Sequence, residues 1–217
     1  MKNELIKRIF SSLMLIPIAL FFIMKGSFLF NFFIIICFLV TSYEWHKMSS
    51  KKPYNLMGLL FLIISFYSAY KIRTTMDGDY IYFIIILLIC ISTDIGGYIF
   101  GKIFKGPKLT KISPKKTYSG VIGGYLFSII ILNLWFSSNL FIRPQELNSD
   151  VFIVILIIST VSQVGDIIIS YFKRLSKIKD TGKIIPGHGG LLDRIDGMIF
   201  AFPFAYMIFK INIFQYF

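Results

Sequence analysis

The sequence predicts an all-α, polytopic integral membrane protein of about seven transmembrane helices with a cytoplasmic N-terminus, organised as a single membrane domain over residues 1–217. Three observations carry that expectation. Of the 217 residues, 56% are hydrophobic and 18% aromatic, with a mean hydropathy of +0.74. The apolar residues run on unbroken instead of repeating at a helical or strand period. Lys and Arg gather in alternate loops.

A helix needs ~20 residues to cross the hydrocarbon, and runs of that order occur at 9–24, 27–43, 55–71, 80–100, 119–137, 151–171 and 195–209. Lys2, Lys7 and Arg8 precede the first run as they would in a signal peptide, but no small-residue cleavage pattern follows, so it reads as a retained anchor. Only Lys25, Gly26 and Ser27 separate it from the second, which leaves two spans or one broken hairpin. The later runs are bounded by polar segments. No soluble domain, Pro-rich linker, low-complexity tail or internal repeat interrupts them.

The formal net charge is +12. In a soluble protein this would suggest nucleic acid, but here topology explains it, so a lipid bilayer and no nucleic acid is the expected surrounding. With the N-terminus inside, the cytoplasmic segments hold Lys2, Lys7 and Arg8, then Lys47, Lys51 and Lys52. They also hold the lysines of 102–116, and Lys173, Arg174, Lys177, Lys179, Lys183 and Arg194. Only Lys25, Lys71, Arg73, Arg143 and Lys210 are left outside, a positive-inside bias that supports seven spans. Cys37 and Cys90 fall mid-span with no CxxC or Cys/His spacing and are expected to pack as small apolar residues.

Three constellations gather at the cytoplasmic face. The first is Asp94 with Gly96, Gly97 and Gly101. An ionised Asp in a span costs roughly 2.5–3.5 kcal/mol on insertion scales, so Asp94 should face a polar cavity or a partner, while Gly97 and Gly101 suit close helix packing. The second is Ser113-Pro114-Lys115-Lys116-Thr117, leading into a helix through Gly120 and Gly124. Hydroxyls, cations and free amides at a helix start are what an oligophosphate needs, which singles out Lys116 and Thr117.

The third begins at Gly165-Asp166 and continues through Ser170–Asp196. Asp166, Ser170 and Lys173, at i, i+4 and i+7, share one helix face, with Arg174 beside it. Pro186-Gly187-His188-Gly189-Gly190 offers backbone amides to an anion, and Asp193 and Asp196 sit one turn apart where the last span begins. Asp166 and Asp193 could meet across two helices. Two such carboxylates beside cations and hydroxyls suit Mg²⁺, which takes one or two carboxylates plus substrate phosphates. His188 has no second imidazole or thiolate nearby for zinc and reads either as a backbone hydrogen bond or as a substrate contact.

The ordered run Ser170-x-x-Lys173-Arg174-x4-Lys179-Asp180-x5-Pro186-Gly187-His188-Gly189-Gly190-x2-Asp193-Arg194-x-Asp196 closely resembles the signature of the phosphatidate cytidylyltransferases, the CDP-diacylglycerol synthases. The two upstream constellations are similar to other segments of that family, so the resemblance covers residues 92–198, whereas 1–80 match only as hydrophobic spans. Ser119 and Ile169 stand where members usually carry a glutamate, and the chain is short for the family, implying fewer N-terminal helices.

What the resemblance implies is transfer of a cytidylyl group from CTP to phosphatidic acid, giving CDP-diacylglycerol and pyrophosphate. It also implies Mg²⁺, with a second, monovalent cation possible. Asp166 and Asp193 would hold the metal, with Lys173, Arg174, Lys116 and Arg194 covering the remaining charge. Asp94, Ser113, Thr117, Ser170, Lys179, Asp180, His188 and Asp196 are further substrate-binding candidates. The Gly-rich spans leave room for a homodimer, and the setting is a bacterial inner (plasma) membrane, crossed several times, with its active face cytoplasmic. A polyprenol or phytol kinase is the alternative enzyme. A transporter or an inactive copy of the family ranks below it.

Overall fold

The computed structural model describes residues 2–75, 80–138, 148–185, 187 and 189–211, with the side chains of 2–12 and of Thr75 outside that description. Pro186 and His188, and the outer charges Asp77, Asp79, Arg143 and Glu146, therefore lie outside the described residues. Among the described residues eight helices follow one another: α1 (Lys2–Lys25), α2 (Ser27–Ser49), α3 (Asn55–Thr75), α4 (Ile81–Phe104), α5 (Tyr118–Ser137), α6 (Ser149–Leu175), α7 (Leu192–Ile195) and α8 (Met198–Ile211). The described residues form isolated bridges but no strand. Helices are the natural outcome, because in hydrocarbon each backbone amide and carbonyl needs a partner within its own segment.

Each of the seven apolar intervals falls on helix, the last of them broken at Asp196-Gly197. Among the described residues five helices, α2 to α6, are long and apolar enough to cross a membrane, while 13–25 of α1 and all of α8 are shorter apolar helices. Large side chains such as Phe28, Met57 and Tyr98 stand on the outside, the surface expected where lipid is the solvent. The protein is a multi-pass membrane protein.

Gly26, at φ +66°, separates α1 from α2, so the first pair is two helices, as either two spans or a broken hairpin would be. Arg73 closes the turn by donating from Nε to the Ile23 carbonyl at 2.8 Å, which serves a carbonyl left without an intrahelical partner at the end of α1.

The start of the last span differs from expectation. Asp193 belongs to the single turn of α7, Asp196 ends that turn, and α8 begins afresh at Met198. Gly197 stands at the break, where a Cβ would fall 2.8 Å from the Ser162 carbonyl.

By contact density the chain forms two units, one of Met1–Tyr82 with Phe172–Asp196, the other of Phe83–Tyr171 with Gly197–Phe217. In the second, α4 and α5 pack through glycines. A Cβ on Gly96 would lie 2.5 Å from the Gly123 carbonyl, and one on Gly120 would lie 2.7 Å from that of Gly97. The small residues thus serve a helix contact within the chain.

Candidate active site

In the first unit, the last turn of α6, the 176–191 segment and α7 bring Lys173, Asp193 and Asp196 together. Lys173 is only 7% exposed, and its Nζ lies 2.9 Å from Asp193 Oδ1 and 3.6 Å from Asp196 Oδ2. Asp193 Oδ2 accepts hydrogen bonds from the Thr181 amide (2.7 Å), the Thr181 hydroxyl (3.0 Å) and the Gly190 amide (3.0 Å). Gly189, at φ +89°, turns the chain there, and a Cβ on it would stand 3.0 Å from the same oxygen. One oxygen of Asp193 is thus fixed by the backbone, and the other faces an ammonium.

Burial pushes the Asp193 carboxyl up, but the Lys173 charge and the hydrogen bonds from Lys173, Gly190 and Thr181 outweigh it and hold the group below the ordinary carboxylate range. A depressed folded-state value contributes stability that is complete above the unfolded carboxylate pKa of about 4 and is lost as pH falls through the folded value. The thermal stability of wild type over Asp193→Asn should accordingly be greatest at neutral pH and shrink steadily from about pH 4 downwards. Melting curves of both proteins across that range, showing a constant difference, would contradict the pairing.

The neighbours of this cluster have separate tasks. Arg174 is exposed and donates to the Ile178 carbonyl at 3.1 Å, in the segment that follows α6. Lys179, Asp180 and Arg194 are exposed nearby.

In the second unit, Lys116 Nζ lies 2.5 Å from Asp166 Oδ2 and 3.2 Å from the Gln163 carbonyl, while Ser170 donates to Asp166 Oδ1 at 3.3 Å. A tight turn, with the Lys116 amide on the Ser113 carbonyl at 3.0 Å, aims the lysine. Thr117 caps α5 by accepting from the Gly120 amide at 3.1 Å, the role its residue type favours. A cavity of about 290 Å³ is lined by Asp94, Ser113, Lys115, Lys116, Thr117 and Asp166 among others. Ser119, in the position of a family glutamate, hydrogen-bonds the Lys105 carbonyl and the Thr117 hydroxyl. Ile169 is buried.

Both units therefore hold a carboxylate that shares one oxygen with a lysine, among hydroxyls and backbone amides. Such groups suit phosphate oxygens and a hard cation.

Known proteins point the same way. A model of the Cytidylyltransferase family matches residues 6–72 and 54–212. The chain belongs to the cytidylyltransferase family. It is 36% identical to a phosphatidate cytidylyltransferase of Rickettsia felis over 95% of this chain and 93% of that one. With the enzyme of the same name from Rickettsia typhi it shares 36% over 98% and 94%. With that of Staphylococcus aureus it shares 39% over 68% of this chain and 55% of the other.

The family match takes in the N-terminal helices, which motif reading confined to generic hydrophobic spans. A residue there, Glu44 on α2, takes part in the site's architecture and escaped that reading. The residue is 1% exposed, and its carboxylate accepts from the amides of Leu191 (3.1 Å) and Leu192 (2.8 Å). The available signal was a lone acid at the end of an apolar run, in Ser42-Tyr43-Glu44-Trp45.

Proposed function

We propose that this chain is a phosphatidate cytidylyltransferase, transferring the cytidylyl group of CTP to phosphatidic acid to give CDP-diacylglycerol and pyrophosphate. The match over nearly the whole chain to proteins of that name carries the reading. The paired lysines and carboxylates of both units supply chemistry that fits it.

The nucleophile is a phosphate monoester, with a second pKa of about 6. Largely dianionic at neutral pH, it needs no strong general base. Its oxygen attacks the α-phosphorus of CTP, and the bond to the β,γ-diphosphate breaks as pyrophosphate leaves with the electron pair. The protein's task is to hold two polyanions in line and neutralise the charge that moves onto the leaving group. Lys173 and Lys116 would do so in this reading, with Arg174 and Arg194 as further cations near Lys173 and Asp193 in sequence.

Mg²⁺ is the cofactor in this reading, with Asp166 and Asp193 as its carboxylates. The donor set fits. Asp193 Oδ2 is fully engaged by three donors, so Oδ1 is the oxygen to offer, and Asp166 likewise has one oxygen on Ser170 and one on Lys116. Each would give a hard cation a single oxygen, the sparse protein contribution that Mg²⁺ accepts when phosphates complete its shell. Bound there, the ion would neutralise phosphate charge and orient the oxygens. Asp94, Ser113, Thr117, Ser170, Lys179, Asp180, His188 and Asp196 position substrate around these groups.

The topology in this reading has seven spans, with α1 and α8 as the first and last, the N-terminus inside, and the active face toward the cytoplasm of a bacterial inner membrane. The concentration of Lys and Arg in alternate loops supports it. CTP is on that side, and the lipid phosphate of the inner leaflet can enter sideways.

Purified protein in detergent, given radiolabelled CTP with and without phosphatidic acid and Mg²⁺, should yield labelled CDP-diacylglycerol only when both are present. Folded protein that makes no such product, or that phosphorylates a lipid from ATP instead, would refute the assignment.

A further inference from the structure

Glu44 does more than fill space. Its Oε1 accepts the Leu191 amide, its Oε2 accepts the Leu192 amide, and Oε2 also lies 3.2 Å from the Thr181 hydroxyl. Both ends of the 181–192 segment are therefore held by one side chain. The glycines beside it fit around that carboxylate: a Cβ on Gly182 would fall 3.0 Å from Glu44 Cδ, and one on Gly190 would fall 2.5 Å from Oε2.

Thr181 then passes the constraint on. Its amide donates to Asp193 Oδ2 at 2.7 Å, and its hydroxyl lies within hydrogen-bond distance of Asp193 and Glu44 alike. A hydroxyl has one proton to donate, so it serves one carboxylate at a time, while the amide serves Asp193 throughout.

Glu44 is itself anchored. Its neighbour Trp45 is 3% exposed and donates from Nε1 to the Asn55 carbonyl at 3.0 Å. The indole packs 5.2 Å, centroid to centroid, from Phe172, the residue before Lys173. Two consecutive residues of α2 thus brace both partners of the Lys173–Asp193 pair.

We propose that Glu44 is a positioning residue for cytidylyl transfer. It fixes Thr181 and the 190–192 turn so that Thr181 and Gly190 occupy Asp193 Oδ2 and leave Oδ1 to the reacting side. The inference rests on the reading of Asp193 as part of the catalytic machinery.

The test compares Glu44→Gln and Glu44→Asp with wild type in detergent. Glutamine keeps the volume but turns an N–H₂ group toward donors, whereas aspartate keeps both acceptor oxygens on a shorter stem. A packing role predicts that Gln resembles wild type and Asp is the worse variant. The positioning role predicts the reverse order: Gln should raise the Mg²⁺ concentration for half-maximal activity by about 10- to 100-fold, as loss of a ligand-orienting partner does, with Asp intermediate. A smaller fraction of folded enzyme would lower kcat without moving that midpoint.

Hydrogen exchange supplies a readout independent of activity. Amides of 181–192 should exchange faster in Glu44→Gln, with α2 and α3 unchanged. A wild-type Mg²⁺ midpoint in Glu44→Gln, unchanged protection of 181–192, or loss of protection throughout α2 and α3 would each overturn the proposal. An Asp193→Asn variant that kept full turnover would instead remove the reading beneath it, and the exchange result would still judge the tether.

Discussion

Asp193→Asn should cut cytidylyl transfer to below about a tenth of wild-type turnover while the protein still folds. The substitution keeps the size of the side chain and one carbonyl oxygen, and Lys173 retains Asp196 at 3.6 Å. The helices around it bury their apolar surface as before. What disappears is the negative charge on Oδ1, the one oxygen of Asp193 that neither Thr181 nor Gly190 engages. The loss should therefore appear in kcat and in kcat/KM alike, the pattern of an interaction made in the transition state. Initial rates with labelled CTP, run beside melting curves and gel filtration, separate the two outcomes. More than a tenth of wild-type turnover would count against Asp193 as a member of the catalytic machinery.

The sequence made much of this legible, for a physical reason. In a chain dominated by Leu, Ile and Phe, each buried charge is expensive, so Asp166, Lys173, Asp193 and Asp196 announced that something must partner them. Their partners were harder to see. The i, i+4 spacing of Asp166 and Ser170 on α6 predicted a contact that the helix makes, but Lys173 and Asp193 are joined through a loop whose path no periodicity encodes. Arg174, expected beside the Lys173 face, donates to the Ile178 carbonyl just past the end of its helix, a partner that no spacing announced. Helix ends also ran past the apolar runs, with α2 reaching Ser49, α4 Phe104 and α6 Leu175, because hydropathy marks the extent of hydrocarbon and hydrogen bonding marks the extent of the helix.

Glu44 shows the same limit from the other side. A single acid among aromatic residues carries no motif, and its partners are main-chain amides that look alike at every position. Only the fold reveals that α2, far from the signature in sequence, holds the segment from which Asp193 takes its hydrogen bonds.

Lys173→Met should destabilise the protein by about 3–5 kcal/mol, the range for removing one partner of a buried ion pair. Methionine fills much of the same space, so the loss is electrostatic: Asp193 and Asp196, with side chains 5% and 11% exposed, both lose the Lys173 ammonium. Adding Asp193→Asn to Lys173→Met removes one of those charges. The double variant should then recover part of the lost stability, a coupling of roughly 0.5–3 kcal/mol between residues in contact. Activity should behave oppositely, staying at the background of either single variant, because a charge that no longer repels is still a charge missing from the reaction. Equilibrium unfolding in detergent, with turnover measured on the same preparations, reads both quantities. Additive stabilities would mean that Lys173 and Asp193 are not coupled in the folded protein. Recovery of turnover with stability would mean that the pair holds the fold together and takes no part in the chemistry.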